Sequence, residues 1–103
     1  MSKNLSLASV IVSYENVEEA LHLEAALSKQ GVQEILLVDN GSRSEKLDRL
    51  RSGLSGTRSR VLALPENLGF GHAVNLGVRS LGPSSHVLIC NPDINVGQNF
   101  INE

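Results

Sequence analysis

Four places in this 103-residue chain gather side chains that can hold a charged or hydrogen-bonding ligand. Ser13-Tyr14 offers a hydroxyl and an aromatic face. Asp39-Asn40 offers a carboxylate and an amide. Glu66-Asn67 is a polar pair followed by Gly69 and Gly71, and Asn91-Pro92-Asp93 brings an amide and a second carboxylate. Together these groups suit a nucleoside diphosphate. Tyr14 could stack on or flank a base, and Asp39 could accept a hydrogen bond from a base N–H or a ribose hydroxyl. Asp93 is an oxygen ligand of the kind that Mg²⁺ or Mn²⁺ prefers. A cation there would neutralise a pyrophosphate and act as a Lewis acid on the leaving group. Glycine backbone at a helix start can approach a ligand closely, and its N–H groups favour anions.

Each group also has a plainer reading. Asp39-Asn40-Gly41-Ser42 is a natural turn in which Asp39 bonds its own backbone. Glu66 and Asn67 suit a helix cap, Tyr14 suits packing, and Asn91-Pro92-Asp93 suits a turn that stops a strand. Gly69-Phe70-Gly71 begins like a dinucleotide fingerprint, but Val74 stands where the third glycine belongs. It also follows the third strand rather than the first, which argues against a NAD-dependent dehydrogenase. Polar ends on four successive strands favour a ligand site over four unrelated turns.

The elements between these groups are what bring them together. Ala8–Val12, Glu34–Asp39, Arg60–Leu64 and the apolar part of His86–Asp93 are short apolar runs of the kind buried in parallel sheets. Between them lie three helical patterns. The first runs from Asn16, an N-cap residue with Glu19 completing a capping box, to about Lys29, with Gly31 as its stop. Its apolar face is Val17, Ala20, Leu21, Leu23 and Leu27, with Glu24 blurring the arc. The second is a short surface helix from Ser44 to Leu54. The third runs from Phe70 to Leu81, with Phe70, Ala73, Val74, Gly77, Val78 and Leu81 as a core-facing stripe and His72, Asn75 and Arg79 away from it. Met1–Leu7 reads as frayed, and 94–103 has no clear pattern. The order β-α-β-α-β-α-β predicts an α/β fold, a Rossmann-like parallel sheet between two helical layers, in one domain over 1–103. Every strand's carboxyl end then lies on one edge, where ligands bind in such sheets.

Bulk properties narrow the function. A net charge of −2 gives no electrostatic footprint for nucleic acid. The chain lacks an apolar run of membrane-spanning length and a signal-peptide pattern, which predicts a cytoplasmic protein. One cysteine and three scattered histidines do not make a zinc site. Cys90, inside an apolar run, reads as a buried small hydrophobe.

Val10–Tyr14 (VIVSY), Leu37–Ser42 (LVDNGS), Glu66–Gly77 (ENLGFGHAVNLG) and Leu88–Asp93 (LICNPD) resemble, in order and spacing, the motifs of family 2 glycosyltransferases with a GT-A fold. The NPD form resembles the rhamnosyltransferase and galactofuranosyltransferase subgroup of bacterial cell-surface polysaccharide synthesis. The resemblance implies an inverting transfer of sugar from a nucleotide-diphospho-sugar, such as a UDP- or dTDP-sugar, to a saccharide acceptor. It implies nucleotide contacts from Ser13, Tyr14, Asp39, Asn40, Asn67, Gly69 and Asn91, and a Mg²⁺ or Mn²⁺ on Asp93. The chain departs from the family at Glu15, where Asn is common, at Val74, where Arg is common, and at Asn91, which replaces the first Asp of D-x-D. Family members continue past the metal motif into an acceptor site and a general base, and no carboxylate here matches that base. The expectation is the donor-binding half of a transferase, inactive alone and self-associating through the core surface it leaves exposed. The alternative is a non-catalytic nucleotide-binding module or a vestigial truncated protein.

Overall fold

The computed structural model describes residues 7–82 and 86–92. The elements in chain order are β1 (Leu7–Ser13), α1 (Val17–Lys29), β2 (Glu34–Asp39), α2 (Ser44–Ser52), β3 (Ser59–Ala63), α3 (Phe70–Ser80) and β4 (His86–Cys90). The strands form one parallel sheet in the order β3-β2-β1-β4. Asp93 and the segment after it lie outside the described residues, as do residues 1–6.

Strand alternation divides the core in two. Ile11, Ile35, Leu37 and Cys90 face α1 and α2, packing with Leu21, Leu27 and Leu50. Val10, Val12, Leu36 and Val38 face the other way, against Ala73 of α3. The result is the expected three-layer sandwich. The chain steps one way from β1 to β3, with α1 and α2 on one face, then reverses to place β4 on the far side of β1. Crossovers of a single hand require the helix to change face at such a reversal, and α3 does so.

Local chemistry explains the boundaries. Helix α1 ends in a Schellman motif. Val32 N–H donates to the Leu27 carbonyl and Gly31 N–H to that of Ser28, with Gly31 at φ +93° and Val32 buried. Gly77 lets α3 lie close on the sheet, since a Cβ there would sit 2.8 Å from both Val10 Cγ1 and Val38 Cγ2.

Several expectations need correction. Leu7 is not frayed but begins β1, its N–H donating to Gln33 Oε1 at 3.3 Å and its carbonyl accepting the Gln33 N–H at 2.9 Å. Helix α2 stops at Ser52, and Leu54 packs beyond it against the core. Asn16 stands at the N-cap position of α1, but its side chain makes no capping bond. It turns back instead, so that Asn16 Oδ1 accepts from Ser13 Oγ and from Tyr14 N–H, both at 3.0 Å. Phe70 and Val78 are exposed rather than core-facing. Nor is β4 buried on both faces: Val87 and Ile89 are exposed, because α3 packs over β1 and β2 and leaves that face of β4 open.

Glu24 does not blur the apolar face of α1; it is fully buried within it. Its Oε1 accepts from Ser55 N–H (3.1 Å) and Ser55 Oγ (2.9 Å), and its Oε2 from Gly56 N–H (2.8 Å) and Ser59 Oγ. The α2–β3 loop is thereby pinned to α1, and the carboxylate has both oxygens satisfied, as burial demands.

Candidate functional site

The carboxyl ends of β1 and β4 flank the point where strand order reverses, the usual ligand crevice of an open α/β sheet. A cleft of about 220 Å³ opens there, lined by Val12, Tyr14, Asn16, Asn40, Asn67, Phe70 and Asn91. Of the residues expected to contact a nucleotide, Tyr14, Asn40, Asn67 and Asn91 share this cleft. Phe70, assigned by periodicity to the core, turns its ring to the same opening. That position was legible only through its neighbours, because it follows the polar loop at the first residue of α3.

Tyr14 is 50% exposed and so presents an open aromatic surface. Ser13 is buried with its hydroxyl committed to Asn16, so it shapes the loop that carries Tyr14. Asn40 is 3% exposed. Its Nδ2 donates to Asn67 Oδ1 at 3.2 Å and its Oδ1 accepts from Leu68 N–H at 2.9 Å. Asn67 Oδ1 also accepts from Gly69 N–H at 2.8 Å, a short Asx-type turn. The pair of asparagines therefore fixes the loop before α3, and Gly69 enters that helix with φ +87°. Gly41 makes the close approach possible. It sits at φ +94°, and a Cβ there would lie 2.5 Å from the Glu66 carbonyl carbon.

Asp39 ends β2 in register with Ser13 of β1 and is 1% exposed. Its Oδ2 accepts from Ser42 N–H at 3.0 Å, as the turn reading expects. Its Oδ1 is buried and has no hydrogen-bond partner among the described residues. An unmet buried acceptor costs about 1–3 kcal/mol, more when charged, and in native structures it calls for an explanation.

Glu15 was noticed in the sequence only as a departure. It adopts φ +65°, rare for a residue other than glycine. Asparagine tolerates that region better than glutamate. Here the carboxylate supplies compensation. Oε2 accepts the Arg43 backbone N–H at 2.8 Å and Oε1 the Arg43 Nε–H at 3.1 Å. The hydrogen bond from the Arg43 backbone leads in holding the Glu15 carboxyl below its ordinary range.

No cluster of three or more His, Cys, Asp or Glu side chains able to hold a metal occurs among the described residues. At the β4 corner these residues supply the Asn91 amide, and Asp93 lies beyond them. Cys90 is buried and its thiol is pushed up by that burial, against a weaker effect of Ser9. It is a core residue, as its sequence context suggested.

Residues 9–94 match the family described as Glycosyl transferase family 2. The chain belongs to that family. A comparison with curated proteins finds no match. Membership makes this a glycosyltransferase sequence with an α/β sheet, and the family implies a nucleotide-sugar donor and a saccharide acceptor. Among the described residues, no helix is long and apolar enough to cross a membrane.

Proposed function

We propose that the cleft between the ends of β1, β2 and β4 binds the nucleotide of a nucleotide-diphospho-sugar, a UDP- or dTDP-sugar, as the donor site of an inverting transferase acting in bacterial surface-polysaccharide synthesis. The observation that carries this reading is the unmet, buried Oδ1 of Asp39, which does not itself line the cleft but precedes the cleft residue Asn40 in the chain. A base or ribose donor would satisfy it. Tyr14 and Phe70 supply aromatic surface for the base, and Asn67, Gly69 and Asn91 stand toward the diphosphate. Asp93, by its place in the NPD motif, would hold Mg²⁺ or Mn²⁺ together with diphosphate oxygens.

Residues 9–94 carry, in this reading, the donor-binding part of the transferase domain. The exposed face of β4 also makes a second copy of the chain a partner.

Calorimetric titration with UDP, dTDP and GDP, with and without Mn²⁺, tests the site. Binding of one nucleotide, strengthened by Mn²⁺, is expected. Asp39→Asn replaces one acceptor oxygen by a donor, and about 1–3 kcal/mol of affinity should go with it, a factor of about 5 to 150. Unchanged affinity in Asp39→Asn would remove Asp39 from the site. Failure of all three nucleotides to bind would leave the non-catalytic relic as the better reading.

A further inference from the structure

We propose that Glu15 is a positioning residue that clasps the β1–α1 loop to the β2–α2 loop and so holds Tyr14 and Asp39 in place. The proposal concerns the same cleft and rests on the donor-site reading only for its ligand.

Glu15 is the point where the two loops meet. Its N–H donates to Ser42 Oγ at 2.7 Å, and its carbonyl accepts from Lys46 Nζ at 2.9 Å. Its carboxylate takes both the backbone and the side-chain donors of Arg43. These bonds join residues 27 or more positions apart in the chain. They also hold a residue in a left-handed conformation that its own side chain disfavours. A loop that needed only to connect β1 to α1 would not require such a residue there.

The clasp reaches the cleft by two routes. The first is direct, since Tyr14 is flanked by Ser13, bonded to Asn16, and by Glu15, bonded to Ser42. The ring is half exposed, so its placement depends on the backbone that carries it rather than on packing. The second route runs through Ser42. The residue whose Oγ accepts from Glu15 also donates its N–H to Asp39 Oδ2. That bond occupies one carboxylate oxygen and leaves Oδ1 as the unmet acceptor. The carboxylate bonds to Arg43 hold the same turn one residue on from Ser42, so losing them loosens the aromatic surface and the orientation of the Asp39 carboxylate together.

Glu15→Gly separates positioning from folding. Glycine accepts the left-handed backbone without strain, which offsets the lost hydrogen bonds, so the urea midpoint should stay close to that of the unsubstituted chain. Tyr14 is the sole tyrosine and tryptophan is absent, so ultraviolet emission above 300 nm reports on Tyr14 alone. In Glu15→Gly, Tyr14 anisotropy should fall and acrylamide quenching should rise. Affinity for the nucleotide that binds the unsubstituted chain should drop about tenfold, the equivalent of one charge-assisted hydrogen bond. Glu15→Gln, which keeps an acceptor for the Arg43 N–H, should recover part of both signals. Arg43→Ala should weaken binding in the same direction but less, because the backbone N–H at 43 still reaches Glu15 Oε2, and Glu15→Gly/Arg43→Ala should do little more than Glu15→Gly, which already removes the Nε–H contact.

Unchanged Tyr14 anisotropy and quenching in Glu15→Gly would overturn the proposal. So would effects of Glu15→Gly and Arg43→Ala that simply add. If the unsubstituted chain binds none of UDP, dTDP or GDP while Tyr14 still loosens in Glu15→Gly, the clasp stands and the donor-site reading falls.

Discussion

At the level of single residues, two glycines place opposite demands on the same substitution. Gly77→Ala gains about 1 kcal/mol of helix propensity. The added Cβ, however, lands 2.8 Å from the methyls of Val10 and Val38, both fully buried in the sheet. Overpacking costs about 1–3 kcal/mol, so the net effect should be a loss of roughly 0–2 kcal/mol. Gly41→Ala has no such offset. It adds the cost of a left-handed alanine, about 1–2 kcal/mol, to a clash with the backbone of Glu66 and Asn67, which cannot rotate away. A loss of about 2–4 kcal/mol is expected. Urea denaturation should rank Gly41→Ala as clearly the worse, and the reverse order would mean that the loop at 65–69 yields more easily than the sheet. The Asn40-Gly41 pair was legible as a turn. That it is also a seat for a loop 25 residues further on was not, because nothing in a local pattern names a partner so distant.

Among the elements, the attachment of the α2–β3 loop to α1 depends on one carboxylate. Burial alone, the largest influence on Glu24, would raise its pKa. The hydrogen bonds from Ser59, Gly56 and Ser55 together outweigh burial and hold it below its ordinary value of 4.5. A carboxylate whose folded pKa is depressed contributes stability fully above its unfolded pKa and loses it as pH falls through the folded value. Urea midpoints should therefore decline on acidification below about pH 4.5, and Glu24→Gln should flatten part of that decline. Glu15 and Glu18 are also depressed, but they stand at the surface, where such pairs contribute little. At neutral pH, Glu24→Ala strands the Ser55 and Gly56 N–H groups and should cost about 2–5 kcal/mol. A midpoint unmoved in Glu24→Ala would show that the loop is held by something else. Apolar runs made the strands readable, since four β-branched or leucine-rich segments between polar turns admit few alternatives. Glu24 was not readable, because a lone charge in an apolar arc looks like noise until the loop that wraps it is seen.

Across the whole molecule, strand order decides what is left uncovered. Apolar runs of similar composition do not disclose their neighbours, so the sequence alone led to the expectation of an exposed core surface without saying which strand would carry it. The order β3-β2-β1-β4 makes β3 and β4 the edges, and the two differ. β3 carries Arg60, paired with Glu34, a charge of the kind that discourages edge pairing. β4 reads His-Val-Leu-Ile-Cys, with Val87 39% and Ile89 38% exposed. Exposed apolar side chains at alternate positions of one strand favour burial against another surface, and in a solution of this chain alone a second copy is the surface on offer. Sedimentation velocity over a range of concentrations should show the weight-average mass rising above that of the monomer. Ile89→Lys, which puts a charge in the middle of the patch, should keep the chain monomeric over the same range. Because Ile89 is already exposed, its replacement should change the unfolding free energy by about 0.5 kcal/mol or less, so loss of association could not be ascribed to unfolding. A chain that sediments as a monomer throughout would show that the open face of β4 is not used between copies.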